Sequence, residues 1–251
     1  MSKVNGSGRV LPMAILTLKT SISQVKRDDA QLKGGRGRQM RRSTAQGNQD
    51  THVQLITDPN EVALREAQNG LRQFDEVLRI VRDARAADWE FELTPDLIKR
   101  LQWFATEGVW SSAGTFRLHE VCISNTTHQP PHFDQVPFLV DEMCTYANRN
   151  SDHPIHVASY LMWRLNWIHP FGDGNGRTSR AVSYLALSVS IKAELPGTPT
   201  IPDLIVRPET KLRYYSALDD ADAAWQQNQL SLVSMEALLK ELLTQQLMSN
   251  S

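Results

Sequence analysis

From about residue 57 onward the apolar positions of this chain recur at helical spacing, and several runs open on their own start signal. Asp58, Pro59 and Glu61 supply an N-cap, a proline at the first helical position and a capping-box partner, so a helix is expected to begin there. Within it Leu71, Phe74, Leu78 and Val81 recur on one face. Thr94 and Pro95 open a second helix in the same way, with Leu97, Ile98, Leu101 and Phe104 at helical intervals. A third is expected after Pro137. Val157, Leu161, Leu165 and Ile168 mark a fourth, and its Ala, Tyr, Met and Trp neighbours leave nearly every face apolar, which puts it at the centre of the core. A fifth, from about Arg177 to Ala193, is similarly apolar. The best strand pattern lies at Glu120 to Ser124, where Val121 and Ile123 alternate with smaller or polar residues ahead of Asn125 and the pair Pro130, Pro131. The reading is an all-α domain carrying one small β-hairpin.

The amino terminus breaks this pattern. Residues 1–50 carry ten Lys and Arg against Asp28, Asp29 and Asp50, a charge of +7, and the remainder of the chain carries −8, so the net −1 conceals a strong asymmetry. The stretch Lys26 to Gln49, with KGGRGRQMRR inside it, has almost no apolar residues and is expected to be disordered. No aromatics are interleaved for base stacking, which weighs against nucleic acid as a partner. Lys3 and Arg9 precede a short apolar run, Val10 to Leu18, but Pro12 interrupts it and no small-residue cleavage site follows, against a secretory signal. No run approaches the ~20 apolar residues of a membrane helix. With 251 residues and 41% hydrophobic content the chain can bury a sizeable core. Two cysteines, Cys122 and Cys144, make no disulfide framework, and the expected location is the cytoplasm.

Between the two most apolar helices lies His169-Pro170-Phe171-Gly172-Asp173-Gly174-Asn175-Gly176-Arg177, with three glycines and three ionisable side chains in nine residues. Gly172, Gly174 and Gly176 permit positive φ and let backbone amides approach a ligand closely. The helix that follows begins with unpaired N–H groups and the positive end of its dipole, so a phosphate is the natural occupant. His169, with an ordinary pKa of ~6.5, can take a proton from an attacking hydroxyl. Asp173 can hold Mg²⁺ alongside phosphate oxygens. Asn175 can orient a phosphate or cap the helix. Arg177 and Arg180, three apart on one face, can reach the outer phosphates of a nucleotide. This division of labour suits phosphoryl-type transfer, where positioning and charge neutralisation dominate.

Other loops fit less well. There is no Gly-Lys-Ser/Thr ending for a Walker A loop, and neither the spacing nor a preceding strand for a dinucleotide fingerprint. Asp173-Gly174-Asn175-Gly176 has the look of a calcium loop, but Arg177 stands where an oxygen ligand is needed. His153 and His156 lack further ligands at a zinc spacing.

HPFGDGNGRTSR, residues 169–180, matches the signature of Fic-domain proteins, His-x-Phe-x-Asp/Glu-Gly-Asn-Gly-Arg-x-x-Arg, at every fixed position. Gly114-Thr115-Phe116-Arg117 resembles the step before the family's flap hairpin, and the segment from Glu120 to Pro131 is similar to that flap. The resemblance spans roughly residues 60 to 245 and implies the Fic fold, a helical domain with a small β-hairpin flap. It implies that His169 is the catalytic base, Phe171 the core anchor of the loop and Asp173 the Mg²⁺ ligand. Gly174, Asn175 and Gly176 would form the anion hole, Arg177 would contact the phosphates and Arg180 the γ-phosphate. Val121, Cys122, Ile123, Ser124 and Asn125 would pair with the target's backbone, and Tyr214 and Tyr215 are candidates for the adenine pocket, with ordinary helix packing as the alternative.

The implied activity is protein adenylylation, moving AMP from Mg·ATP to a Ser, Thr or Tyr hydroxyl of a target protein. The alternatives are transfer or removal of another phosphate-containing group (UMP, phosphocholine, deAMPylation) and a non-enzymatic binding module. ATP and a target protein are the expected partners; self-modification and a homodimer stay open. The expected division is a basic tail over 1–50, N-terminal helices over 51–110, the core with flap and loop over 111–195, and C-terminal helices packing on it over 196–251. The chain departs from relatives that carry a Ser/Thr-x-x-x-Glu-Gly/Asn inhibitory helix. In the best alignment, Leu64 to Gly70, Gln68 stands at the glutamate and Leu64 at the Ser/Thr, so the inhibitory charge is expected to be lost.

Overall fold

The structure is a computed structural model of the chain and describes residues 52–123, 126, 128–195, 199–203, 205 and 207–248. The expected disorder of the tail over 1–50, and the flap positions Ser124 and Asn125, lie outside the described residues.

Seven α-helices are found among the described residues: α1 (Pro59–Ala86), α2 (Pro95–Thr106), α3 (Val136–Arg149), α4 (Pro154–Ile168), α5 (Asn175–Ser190), α6 (Pro208–Gln226) and α7 (Val233–Met248). The start signals act as expected. Asp58 Oδ1 accepts from the N–H groups of Asn60 and Glu61 at 3.0 and 2.9 Å, and Thr94 Oγ1 accepts from that of Leu97 at 3.3 Å. Prolines open α1, α2, α4 and α6 where the missing N–H would have had no helical partner.

The antiparallel pair α4 and α5 forms the centre, with α1 and α2 packed on α5, α3 and α7 on α4, and α6 on α7. Every residue from Val157 to Leu165 is buried, and so is every residue from Thr178 to Val189, because these two helices have neighbours on all sides. Trp163, Tyr184, Phe171 and Met162 are the bulkiest occupants of this core.

α1 differs from the apolar-stripe expectation. Its buried face carries Asn69, Gln73 and Glu76 beside Val77, Ile80, Val81 and Ala84, whereas Leu71 is exposed. The reason lies in its neighbour. α1 runs along the C-terminal half of α2, and its polar side chains bond backbone carbonyls there and at the α2 C-cap, Glu107. Asn69 Nδ2 donates to Glu107 O at 2.8 Å and Gln73 Nε2 to Leu101 O at 2.9 Å. Glu76 bonds Arg79 and pairs with Arg100; the Arg79 bond foremost holds its carboxyl below the usual range.

The β-hairpin does not form among the described residues. Glu120 to Ile123 is irregular chain, and the sole bridge described is an isolated antiparallel one between Gln54 and Trp110. An alternating run needs a partner strand to satisfy its backbone, and none is found alongside this one among the described residues.

Candidate active site

α4 ends on a residue that would ordinarily be glycine. His169 occupies the left-handed region (φ 50°, ψ 58°) as the C-cap, its N–H still bonded to Leu165 O at 3.0 Å, and Pro170 prevents the helix from continuing. A non-glycine residue held there carries strain that the surroundings must enforce. They do so through Arg117, which is 3% exposed. Its Nε donates to His169 O at 2.8 Å, Nη1 to His119 O at 3.1 Å, and Nη2 to Pro131 O and Ile168 O, while its backbone N–H donates to Pro170 O at 2.9 Å. One guanidinium thus ties the turn at His169 to the chain on both sides of the flap region. Burial pushes its own pKa down, with Glu120 acting the other way.

The His169 ring is oriented by Asn166. Its Nδ1 lies 3.3 Å from Asn166 O, and a carbonyl can only accept, so in the neutral ring Nδ1 carries the proton and Nε2 keeps its lone pair. Burial is the main cause that pushes this pKa down to about 4; the Asn166 carbonyl opposes it, the positive Arg117 adds to it, and Asp173 opposes it. His169 is therefore in its base form at neutral pH. The acid limb of kcat/KM, which reports the free enzyme, is expected below pH 6.5 and toward about 4. A limb centred at or above 6.5 would contradict this environment. The stability link has the same sign: with the folded value depressed, protonation favours the unfolded chain, so stability is lost as pH falls from ~6.5 toward about 4.

Beyond His169 the loop is closed by Asn175. Its Oδ1 accepts from Phe171 N–H at 3.0 Å and its Nδ2 donates to Phe171 O at 2.9 Å, with both residues buried. The amide is thus a clasp across the loop, with one Nδ2 hydrogen left outside these two bonds. Positive φ is required at Gly174 alone of the three loop glycines (φ 82°), where a β-carbon would also meet Thr106 Cγ2 at 2.7 Å. At Gly172 the requirement is close approach, because a β-carbon would stand 2.6 Å from the His52 ring. α5 then begins with no side-chain cap, and its first intrahelical bond at this end is Thr178 N–H to Gly174 O. The amides ahead of it form the positive end of the helix.

Asp173 accepts from Trp110 Nε1 at 2.7 Å and Arg177 Nη2 at 3.2 Å on Oδ2, and from Gly174 N–H at 2.7 Å on Oδ1. A carboxylate offers about four lone-pair directions, so capacity remains for a cation. Arg177 also donates to Ala105 O, at 2.8 Å, near the negative end of α2. Arg180 is 9% exposed and donates through Nε to Pro202 O at 3.1 Å; burial foremost lowers its pKa. His169, Gly172, Asp173, Gly174, Asn175, Gly176, Arg177 and Arg180 line one open cleft of about 270 Å³.

The remaining expected residues separate. Tyr214 is buried and its hydroxyl accepts from Asn166 Nδ2 at 3.0 Å, so helix packing describes it; Tyr215 is 48% exposed. Gln68 is exposed and is not among the cleft residues. The carboxylate that α1 brings to the loop is Glu66, 3.6 Å from Arg177. Two helical positions correspond to about 200° of rotation, so Glu66 and Gln68 face different ways. His156 engages Tyr146 and Glu236 with its two ring nitrogens at 2.8 Å each. Arg117, Trp110, Glu66 and Gln102, whose Nε2 donates to Asp173 O at 2.9 Å, complete the site; the Gly-Thr-Phe-Arg step points toward the first, Glu66 is the carboxylate next to the Gln68 position on α1, and no local signal points to Trp110 or Gln102.

Residues 92–187 match the family model described as Fic/DOC family. The chain is 31% identical over 108 residues to "Protein adenylyltransferase Fic" of Drosophila persimilis, covering 42% of this chain and 19% of that protein. It is 30% identical over 112 residues to "Protein adenylyltransferase fic-1" of Caenorhabditis elegans, covering 44% and 20%. The matched region thus spans about a fifth of these relatives. Among solved structures, a Fic family protein from Desulfovibrio desulfuricans G20 shares 17% identity at a TM-score of 0.59, covering 99% of this chain and 70% of that one. Fic-1 (aa134–508) from C. elegans gives the same identity and TM-score, with 99% and 66% covered. These last two likenesses concern the fold. The likeness to the Fic/DOC family thus covers residues 92–187, the stretch that holds the cleft loop.

Proposed function

We propose that this chain is a protein adenylyltransferase that moves AMP from ATP to a hydroxyl side chain of a target protein. The observation that carries this reading is the shared cleft: a neutral imidazole, with no hydrogen bond described at Nε2, lines the same space as the uncapped start of α5 and two arginines. In the reaction, His169 Nε2 takes the hydroxyl proton as the oxygen bonds to the α-phosphorus. The bond from that phosphorus to the bridging oxygen breaks, and the electron pair leaves with pyrophosphate. The amides of Asn175 and Gly176 and the guanidinium groups of Arg177 and Arg180 hold the phosphate charge, while the Gly174 N–H is engaged by Asp173 Oδ1. Asp173, with lone-pair capacity left, is the residue that would hold Mg²⁺, and the ion when bound neutralises charge on the phosphates. Tyr215 is the remaining candidate for an adenine contact.

The segment Val121 to Ile123, with no strand partner among the described residues, is the proposed docking edge for the target's backbone, together with Ser124 and Asn125. The division at 110/111 and 195/196 is part of this reading. No described helix is long and apolar enough to cross a membrane. A cytoplasmic location is proposed from the two free cysteines, Cys122 and Cys144.

ATP labelled at the α or the γ phosphate separates the chemistries. Label entering protein from the α position alone is expected. Label from γ alone would make the chain a kinase, and none from either would favour transfer or removal of another group, or the binding-module alternative.

A further inference from the structure

The carboxylate assigned to the metal is held by a residue far from the loop. Trp110, 63 residues before Asp173, donates its indole N–H to Oδ2 at 2.7 Å. The backbone of this tryptophan is pinned by the chain ahead of α1. Leu55 N–H donates to Val109 O at 2.8 Å, Ser111 N–H donates to Val53 O at 2.9 Å, and Gln54 opposes Trp110 as an antiparallel bridge. That pairing lays the His52 imidazole flat on the indole, with ring centroids 4.2 Å apart and planes 10° from parallel. His52 Nδ1 meets Ser112 Oγ at 2.5 Å, and the ring also abuts the Cβ-free edge of Gly172. Segment 52–55 is thus a strap that reaches the catalytic loop.

We propose that Trp110 is a positioning residue for Asp173, and that His52 on this strap holds the indole in place. The proposal rests on the reading of Asp173 as the Mg²⁺ ligand. An aspartate carboxylate rotates readily about its last torsion, and the side chain of Asp173 is 37% exposed. With Arg177 as its sole side-chain donor, the group would be drawn into an ion pair that competes with a cation. The indole contributes a single directional N–H and no charge, so it fixes the plane of the carboxylate without neutralising it. The lone pair left on Oδ1 then points in one direction. Groups that orient a metal-holding side chain in this way typically change metal affinity by about 10–100-fold when removed.

The test compares the affinity of full-length protein for α,β-methylene-ATP with and without Mn²⁺, by calorimetry. The ratio of the two affinities is the metal enhancement, and it is insensitive to the fraction of protein folded because both titrations share it. Trp110→Phe keeps a ring under His52 and removes the N–H. It is expected to cut the enhancement by about 10-fold or more, with metal-free affinity close to wild type. His52→Ala should move the ratio in the same direction by less, and the double variant should be no worse than Trp110→Phe alone. Asp173→Ala is the reference. If it abolishes the enhancement while Trp110→Phe retains it in full, the positioning role is overturned and the metal assignment stands. Should Asp173→Ala itself keep the wild-type ratio, the metal assignment fails and the proposal falls with it. His52→Ala at the wild-type ratio would overturn the part assigned to the strap.

Discussion

His169→Ala is expected to remain folded and to bind nucleotide, yet to lose transfer by about 10²–10⁴-fold, the usual range for removal of a general base. The ring contributes little to the fold, since its described hydrogen bond is a 3.3 Å contact to a carbonyl at its own helix end. The groups proposed to hold the phosphates belong to a different element, the start of α5. Initial rates of α-label incorporation and a calorimetric titration with ATP check the two halves separately. A variant that transfers at the wild-type rate would remove His169 from the chemistry. One that no longer binds nucleotide would show that the ring belongs to the binding surface.

The second large effect is expected far from any reacting atom. Arg117→Ala leaves the carbonyls of His119, Pro131, Ile168 and His169 without the donor they share, inside a region where the arginine is 3% exposed. The cost should be about 3–5 kcal/mol, because several carbonyls, at about 1–3 kcal/mol for each one left buried and unsatisfied, lose their donor. For a chain of this size that lowers the melting temperature by roughly 6–20 °C. Transfer should fall by about 10²-fold or more even well below the melting point, because the turn that aims His169 loses its tie and small displacements of a catalytic group are costly. Arg117→Lys should recover part of the stability and less of the rate: one ammonium can reach some of these carbonyls but cannot reproduce the planar fork. Melting curves and initial rates decide it, and a wild-type melting temperature for Arg117→Ala would refute the role.

Local chemistry made several features legible in the sequence. Asp58, Thr94 and the prolines at 59, 95, 154 and 208 mark helix starts because a capping oxygen or a missing N–H acts within one turn of its own position. The near-continuous apolar runs in 157–168 and 178–189 mark the two central helices, since only a segment surrounded on all faces can bury so much. The loop from His169 to Arg180 could be read as one site because twelve consecutive residues cannot lie far apart. The tertiary structure alone decided which partners these groups have. Asn175 turned inward onto Phe171 because the loop closes on itself, and Tyr214 turned into the core because α6 lies across Asn166. Glu66, not Gln68, meets Arg177 because the rotation of α1 is set by the α2 carbonyls that Asn69 and Gln73 serve. Trp110 and Arg117 reach the loop across 63 and 52 residues. No periodicity or spacing along the chain encodes such a contact, because it depends on how whole helices pack and not on the conformation of either residue.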